Sequence, residues 1–174
     1  MEKYVILVDG ADNETGTMEK MQAHRSPNLH RAFSVFIFNT DGEMLLQQRA
    51  FTKYHSGGLW TNACCSHPMP GESIVNAATR RLNEELGFSC PVEKIFEFIY
   101  QADFNNGLVE YEYDHVLTGV YDGPIIADPD EVETYLYKNP ETIKRELQLH
   151  PEAYTAWFKI AFPRLELFLQ DKQM

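Results

Sequence analysis

The stretch from Glu72 to Gly87, Glu-Ser-Ile-Val-Asn-Ala-Ala-Thr-Arg-Arg-Leu-Asn-Glu-Glu-Leu-Gly, decides how this chain folds. Ser73 can accept a hydrogen bond from a first helical turn, and Gly87 can adopt the left-handed backbone that ends a helix. The spacing therefore predicts a helix over Ser73–Leu86. At 100° per residue, Ile74, Ala77, Ala78 and Leu82 form an apolar stripe that must bury against something. Arg81 and Glu85 fall in the middle of that stripe, with Arg80 and Glu84 along one edge. An unpaired buried charge is costly, so charges on a packing face need a reason. On the helix alone two readings stand: an internal Arg81–Glu85 ion pair at i, i+4, or charges directed at a ligand.

Working outward, the segments on either side read mostly as strands. Arg31–Phe38 and Glu43–Gln48 are apolar runs joined by Asn39-Thr40-Asp41-Gly42, a hairpin signal. Tyr4–Val8 and Leu59–Cys65 read as strands, and Asp9–Gly16 as turns. Beyond the helix, Ile95–Ala102 and Leu108–Val120 flank the turn Asn105-Asn106-Gly107, and Val132–Tyr137 is a last strand. Pro140–Gln148 and Pro151–Leu169 read as helices, each with proline at its start. Strands at the front and helices at the back predict an α+β fold, a mixed sheet with helices packed on it.

The chain has 174 residues, with no repeat, low-complexity tract or linker, which predicts one domain over 1–174. It is 44% hydrophobic, enough to build a core and to argue against disorder. No apolar run reaches the roughly 18 to 20 residues of a membrane span. The start, MEKYVILVDG, has no basic lead-in and no small-residue cleavage site. These features predict a soluble, cytoplasmic protein with no membrane partner, and nothing demands more than a monomer. The net charge of -11 argues against nucleic acid as a partner. Residues 1–81 hold eight basic and eight acidic side chains, so the excess lies beyond them, and an anionic ligand would be steered to the first half. Acidity that simply aids solubility is the alternative. Cys64, Cys65 and Cys90 are too few, and odd in number, for a disulfide framework, so reduced thiols are expected.

Several residues have metal or acid–base chemistry. On a strand, residues two apart share a face, which pairs Cys65 with His67 and Glu110 with Glu112. Two like charges so placed repel, and a bound cation or a raised pKa relieves them. His24 and His30 stand six residues apart. Taken singly, each histidine reads as a satisfied polar residue and the glutamates as a solvated strand face. Half of a zinc knuckle at Cys64-Cys65-Ser66-His67 would need a second short-spaced pair, which Cys90 alone does not supply.

Glu72, Arg80, Glu84, Glu85 and Gly87 resemble the Nudix box, with Ser66 in place of its first glycine and Arg81 in place of a glutamate. HRSPNLHRAFS, LLQQRAFTK, GLWTNACCSHPMPGES, RRLNEELG and FIYQADFNNGLVEYEYDHV extend the match over nearly the whole chain. They resemble the type 1 isopentenyl-diphosphate isomerases, a family with the Nudix fold. That resemblance implies a Nudix-like mixed sheet with helices on both sides. It implies one divalent metal, Zn, Mn or Mg, held by His24, His30, His67, Glu110 and Glu112. It further implies a Mg2+ bridging Glu85 to the substrate diphosphate, and no flavin. Lys20, Arg49, Lys53 and Arg81 would contact the diphosphate, and Trp157 would stabilise a carbocation, although Tyr154, Trp157, Phe158 and Ala161 also read as an ordinary core stripe. The reaction moves a double bond by one carbon, adding one proton and removing another. Glu112, with Tyr100 beside it, would be the acid and Cys65, as a thiolate, the base. Two other readings are a Nudix pyrophosphohydrolase, which would want a carboxylate at position 81, and a non-catalytic zinc-stabilised binding module.

Overall fold

The computed structural model describes residues 4–104 and 106–171. Among them, nine strands join in one mixed sheet. In chain order these are β1 (Tyr4–Val8), β2 (Glu14–Glu19), β3 (His30–Phe38), β4 (Met44–Arg49), β5 (Trp60–Thr61), β6 (Cys64–Ser66), β7 (Val92–Asp103), β8 (Val109–Val120) and β9 (Val132–Lys138). The helices are α1 (Lys20–Arg25), α2 (Ile74–Leu86), α3 (Pro140–Leu149) and α4 (Ala156–Asp171). Strand β3 pairs in parallel with β8 along its whole length, and β8 pairs antiparallel with β7. The other edge of β3 is shared by β1, β6 and β4 in turn.

Alternation along β3 divides the interior into two layers. Phe33, Val35 and Ile37 face a core closed by Ala77, Ala78, Leu82 and Leu86 of α2. Phe36 faces the other side, where Trp157, Phe158, Ala161 and Phe162 of α4 and Ile143 of α3 cover Met44, Leu46, Tyr100 and Val116. Helices thus lie on both faces of the sheet, as expected. The caps of α2 are those read from the sequence: the Ser73 hydroxyl accepts from the Asn76 N–H at 3.2 Å, and Gly87 has φ +70°. A Cβ there would meet the Ile126 carbonyl oxygen at 2.5 Å, so only glycine fits.

Three segments differ from the sequence reading. The turn-rich stretch ends in β2, paired with β1, and leads directly into α1, whose first turn is capped by the Glu19 carboxylate on the Gln22 N–H at 2.8 Å. The predicted strand Leu59–Cys65 is two short strands because the chain changes partner, β5 pairing with β4 and β6 with β3. The predicted helix Pro151–Leu169 is a 3-10 turn at Pro151–Ala153 followed by α4. Between them Tyr154 bridges to Trp60 and the Thr155 N–H donates to the Trp60 carbonyl at 3.0 Å, which pulls the chain out of helical geometry. Gly107 lies in the predicted β7–β8 turn with φ +79°, and Asn105 of that turn lies outside the described residues. No helix among the described residues is long and apolar enough to cross a membrane.

Candidate active site

The register of three adjacent strands builds the centre of the site. Glu112 on β8 stands opposite His30 on β3 and opposite Tyr100 on β7. Helix α1 brings in His24, and His67 follows β6. One ligand atom from each of His24, His30, His67 and Glu112 lies within 4.8 Å of all the others, and all four residues are buried. The Nδ1 atoms of His24 and His30 lie 2.7 Å from the carbonyl oxygens of Lys20 and Asn28. With the proton held there, each Nε2 presents a lone pair, and both Nε2 atoms are buried without a hydrogen-bond partner. Metal-ligating imidazoles are held in this way. His67 Nε2 lies 3.0 Å from Glu112 Oε1, about the separation of two ligands at right angles, each roughly 2.1 Å from one ion. Burial lowers the pKa of His24 and brings that of His67 down to about 3, keeping both in the neutral form that binds metal. The donor set fits one divalent cation. Glu110, expected as a fifth ligand, is not in this cluster.

Glu110 instead faces Tyr100. The Tyr100 hydroxyl lies 2.9 Å from Glu110 Oε2 and 2.7 Å from Glu112 Oε2. One hydroxyl proton cannot serve both carboxylates. Burial and the neighbouring Glu112 push Glu110 well above the carboxylate range. Burial also pushes Glu112 upward, but the His30 and His67 imidazoles beside it outweigh that and hold Glu112 well below that range. A proton on Glu110 thus completes a chain from Glu110 through Tyr100 to Glu112. Cys65 projects from β6, on the edge of β3 opposite β8. Its thiol donates to Asn62 Oδ1 at 3.0 Å and lies 3.5 Å from Ser34 Oγ, which donates to Asp114 Oδ2 at 2.8 Å. Burial, then the neighbouring Asp114, pushes the thiol well above its usual range. The protein's own groups therefore favour the thiol, not the thiolate expected from the sequence. Cys64 points to the opposite face, toward Glu85 Oε1 at 3.5 Å.

Cations line the mouth of the same cleft, which holds about 510 Å³ of empty space, part of it open to solvent. Lys20, Arg49, Lys53, Arg81, Glu85 and Trp157 all line it. Both readings of the helix charges hold together: Arg81 pairs with Glu85 at 2.6 Å and also faces the cleft. Arg81 further reaches Glu84 at 2.7 Å and Glu131 at 3.5 Å, and Lys53 pairs with Glu131. Gln47 donates to Glu85 Oε2 at 2.8 Å. Trp157 belongs both to the core and to the cleft wall, and the Arg49 guanidinium sits 5.1 Å from its ring centroid.

In sequence, this chain is 48% identical over 166 residues to the isopentenyl-diphosphate Delta-isomerase of Pectobacterium atrosepticum, covering 95% of this chain and 93% of that protein. It is 49% identical over 159 residues to isopentenyl-diphosphate Delta-isomerase 2 of Photorhabdus laumondii, covering 91% and 90%. The NUDIX domain model matches residues 28–158. The chain belongs to the isopentenyl-diphosphate Delta-isomerase family of Nudix proteins. Its fold is also that of more distant structures: one from Deinococcus radiodurans, DR0079 (TM-score 0.78, 18% identity, covering 92% of this chain and 98% of that one), and a MutT NUDIX hydrolase from Burkholderia pseudomallei (TM-score 0.61, 20% identity, covering 78% and 96%).

In this isomerase-family chain, sequence reasoning missed five residues of the site. His55 stacks on Phe104 at 4.6 Å and stands edge-on to Trp157. Asn62 and Ser34 contact the thiol, Asp114 supports Ser34, and Glu131 ties Lys53 to Arg81. Two of them left a signal. Ser34 interrupts an apolar strand, and Asp114 continues the alternation of Glu110 and Glu112 onto the same face.

Proposed function

We propose that this chain converts isopentenyl diphosphate to dimethylallyl diphosphate, with Cys65 and Glu112 as the acid–base pair. The observation that carries this reading is the convergence of Cys65, Tyr100, Glu112 and the cations of the mouth on one cleft. Cys65 and Glu112 come from strands on opposite edges of β3 and both line the cleft, where one substrate could reach both. One of them adds a proton to the terminal CH2, and the other removes one from the carbon next to the oxygen-bearing carbon. Tyr100 orients Glu112 and links it to Glu110. The wall at Trp157 offers an aromatic face, and such a face stabilises a desolvated cation by roughly 2 kcal/mol. Lys20, Arg49, Lys53 and Arg81 hold the diphosphate. His24, His30, His67 and Glu112, with Glu110 nearby, would hold a divalent ion whose positive charge would fix the Glu112 carboxylate, and Glu85 would hold a Mg2+ that would supply charge to the diphosphate. On this reading the enzyme works in the cytoplasm as a monomer on a soluble small molecule.

The hydrolase reading finds Arg81, not a carboxylate, at the centre of the helix. Incubation with isopentenyl diphosphate and Mg2+ in D2O separates the two. Dimethylallyl diphosphate carrying deuterium, with no phosphate released, is expected, and Cys65→Ala should abolish it. Phosphate release with the double bond unmoved would replace the isomerase with the hydrolase.

A further inference from the structure

The hydrogen-bonding groups between Trp157 and Cys65 form a chain whose direction is fixed from the indole N–H to the Asn62 carboxamide. The Asn62 carboxamide is fully buried, and its Nδ2 donates to the carbonyl oxygens of Val35 at 3.0 Å and Cys64 at 2.9 Å. Its Oδ1 is thereby turned toward Thr61 and Cys65, and an amide oxygen can only accept. It accepts from Thr61 Oγ1 at 2.9 Å and from the Cys65 thiol at 3.0 Å. An indole N–H can only donate, and that of Trp157 donates to Thr61 Oγ1 at 2.8 Å. Thr155 donates to the same oxygen at 3.1 Å. With its lone pairs taken, the Thr61 hydroxyl has one place for its proton, Asn62 Oδ1. Thr61 is itself 1% exposed, so water does not compete.

We propose that Thr61 and Asn62 are positioning residues for the isomerisation: their hydrogen-bond chain sets the direction of the Cys65 S–H bond and the plane of the Trp157 indole relative to each other across the cleft. This rests on the roles given to Cys65 and Trp157 above. Neither residue touches the substrate in this account. The chain aligns the group that exchanges a proton with the face that stabilises the cation. Small misalignments of such groups cost rate more than binding.

Thr61→Val keeps the volume and removes the hydroxyl, whereas Thr61→Ser keeps the hydroxyl. Thr61→Val is expected to lower kcat by about ten- to a hundredfold with KM changed less than about threefold, and Thr61→Ser to restore most of it. The Trp157 indole N–H resonance should move in Thr61→Val and stay in Thr61→Ser. Independently of any Thr61 variant, the infrared difference between wild type and Cys65→Ser should show a hydrogen-bonded S–H stretch. A wild-type kcat in Thr61→Val, an equal loss in Thr61→Val and Thr61→Ser, or an S–H stretch at the unbonded position would each overturn the proposal. Isomerisation that survives Cys65→Ala would bring down the catalytic reading itself, and the positioning role with it.

Discussion

At the floor of the cleft, His24, His30, His67 and Glu112 are buried, and two imidazole nitrogens face inward with no hydrogen-bond partner. At its mouth, Lys53, Arg81, Glu84, Glu85 and Glu131 are already paired with one another, Arg81 and Glu85 buried and Lys53, Glu84 and Glu131 partly in contact with solvent. The floor has unmet valence that one divalent cation would satisfy. The mouth is a network of neutralised charges that a diphosphate must rearrange. Losses at the floor should therefore be large and insensitive to salt, while losses at the mouth are shared among neighbours and screened.

Glu112 belongs to the metal cluster and to the proton chain through Tyr100, so its replacement tests the floor most severely. Glu112→Gln preserves the shape but removes both the charge and the transferable proton. Turnover should fall by about a thousandfold or more, measured by dimethylallyl diphosphate formation. A loss under tenfold would place the proton chemistry elsewhere. Arg81→Glu sharpens the contrast at the mouth. It restores a Nudix-box carboxylate but sets it against Glu84, Glu85 and Glu131. KM for isopentenyl diphosphate should rise by about ten- to a hundredfold, without phosphate release. An unchanged KM would detach α2 from the diphosphate.

The pH dependence of metal binding separates the two regions differently. Between pH 7.5 and 5.5, an imidazole with the ordinary pKa near 6.5 loses roughly tenfold in availability to a metal. Burial brings the pKa of His67 down to about 3, so it stays neutral through that window, and burial lowers the pKa of His24, so it loses less there than an ordinary imidazole. Calorimetric titration with Zn2+ or Mn2+ should show much less than the roughly thousandfold weakening of three ordinary imidazoles. The full thousandfold would show that the cluster titrates as in water. The smallest effect belongs to Glu131→Gln. Glu84 and Glu85 still hold Arg81, so KM should change by less than about threefold and the change should shrink further in high salt. A larger change would make Glu131 the organiser of the mouth.

What could be read in advance follows the range of the forces involved. Helix α2 was legible to within one residue because its caps and stripe are local, and β1 and the β3–β4 hairpin were legible for the same reason. Strand β2 was not, because most of its side chains are exposed and its pairing with β1 leaves no apolar alternation in Glu14–Glu19. The breaks at Asn62–Ala63 and at Tyr154–Thr155 are imposed by partners distant in sequence, β3 and Trp60. In the site, family motifs located the histidines, the cations and Cys65. Glu110 entered the ligand set with the family resemblance, and only the tertiary position of Tyr100 shows which hydroxyl its carboxylate faces. Asn62 and Glu131 act through contacts that no local pattern encodes.

The register that sets His30 opposite Glu112 also has a kinetic consequence. Those two residues meet only after β3 and β8, strands far apart in the chain, have paired in parallel, a slow and entropically demanding step in folding. The cluster that could hold an ion therefore needs the β3–β8 pairing in place before it exists. A metal ion would not guide the chain toward its fold. It would bind the finished fold and slow its opening, lengthening the native-state lifetime far more than it speeds refolding.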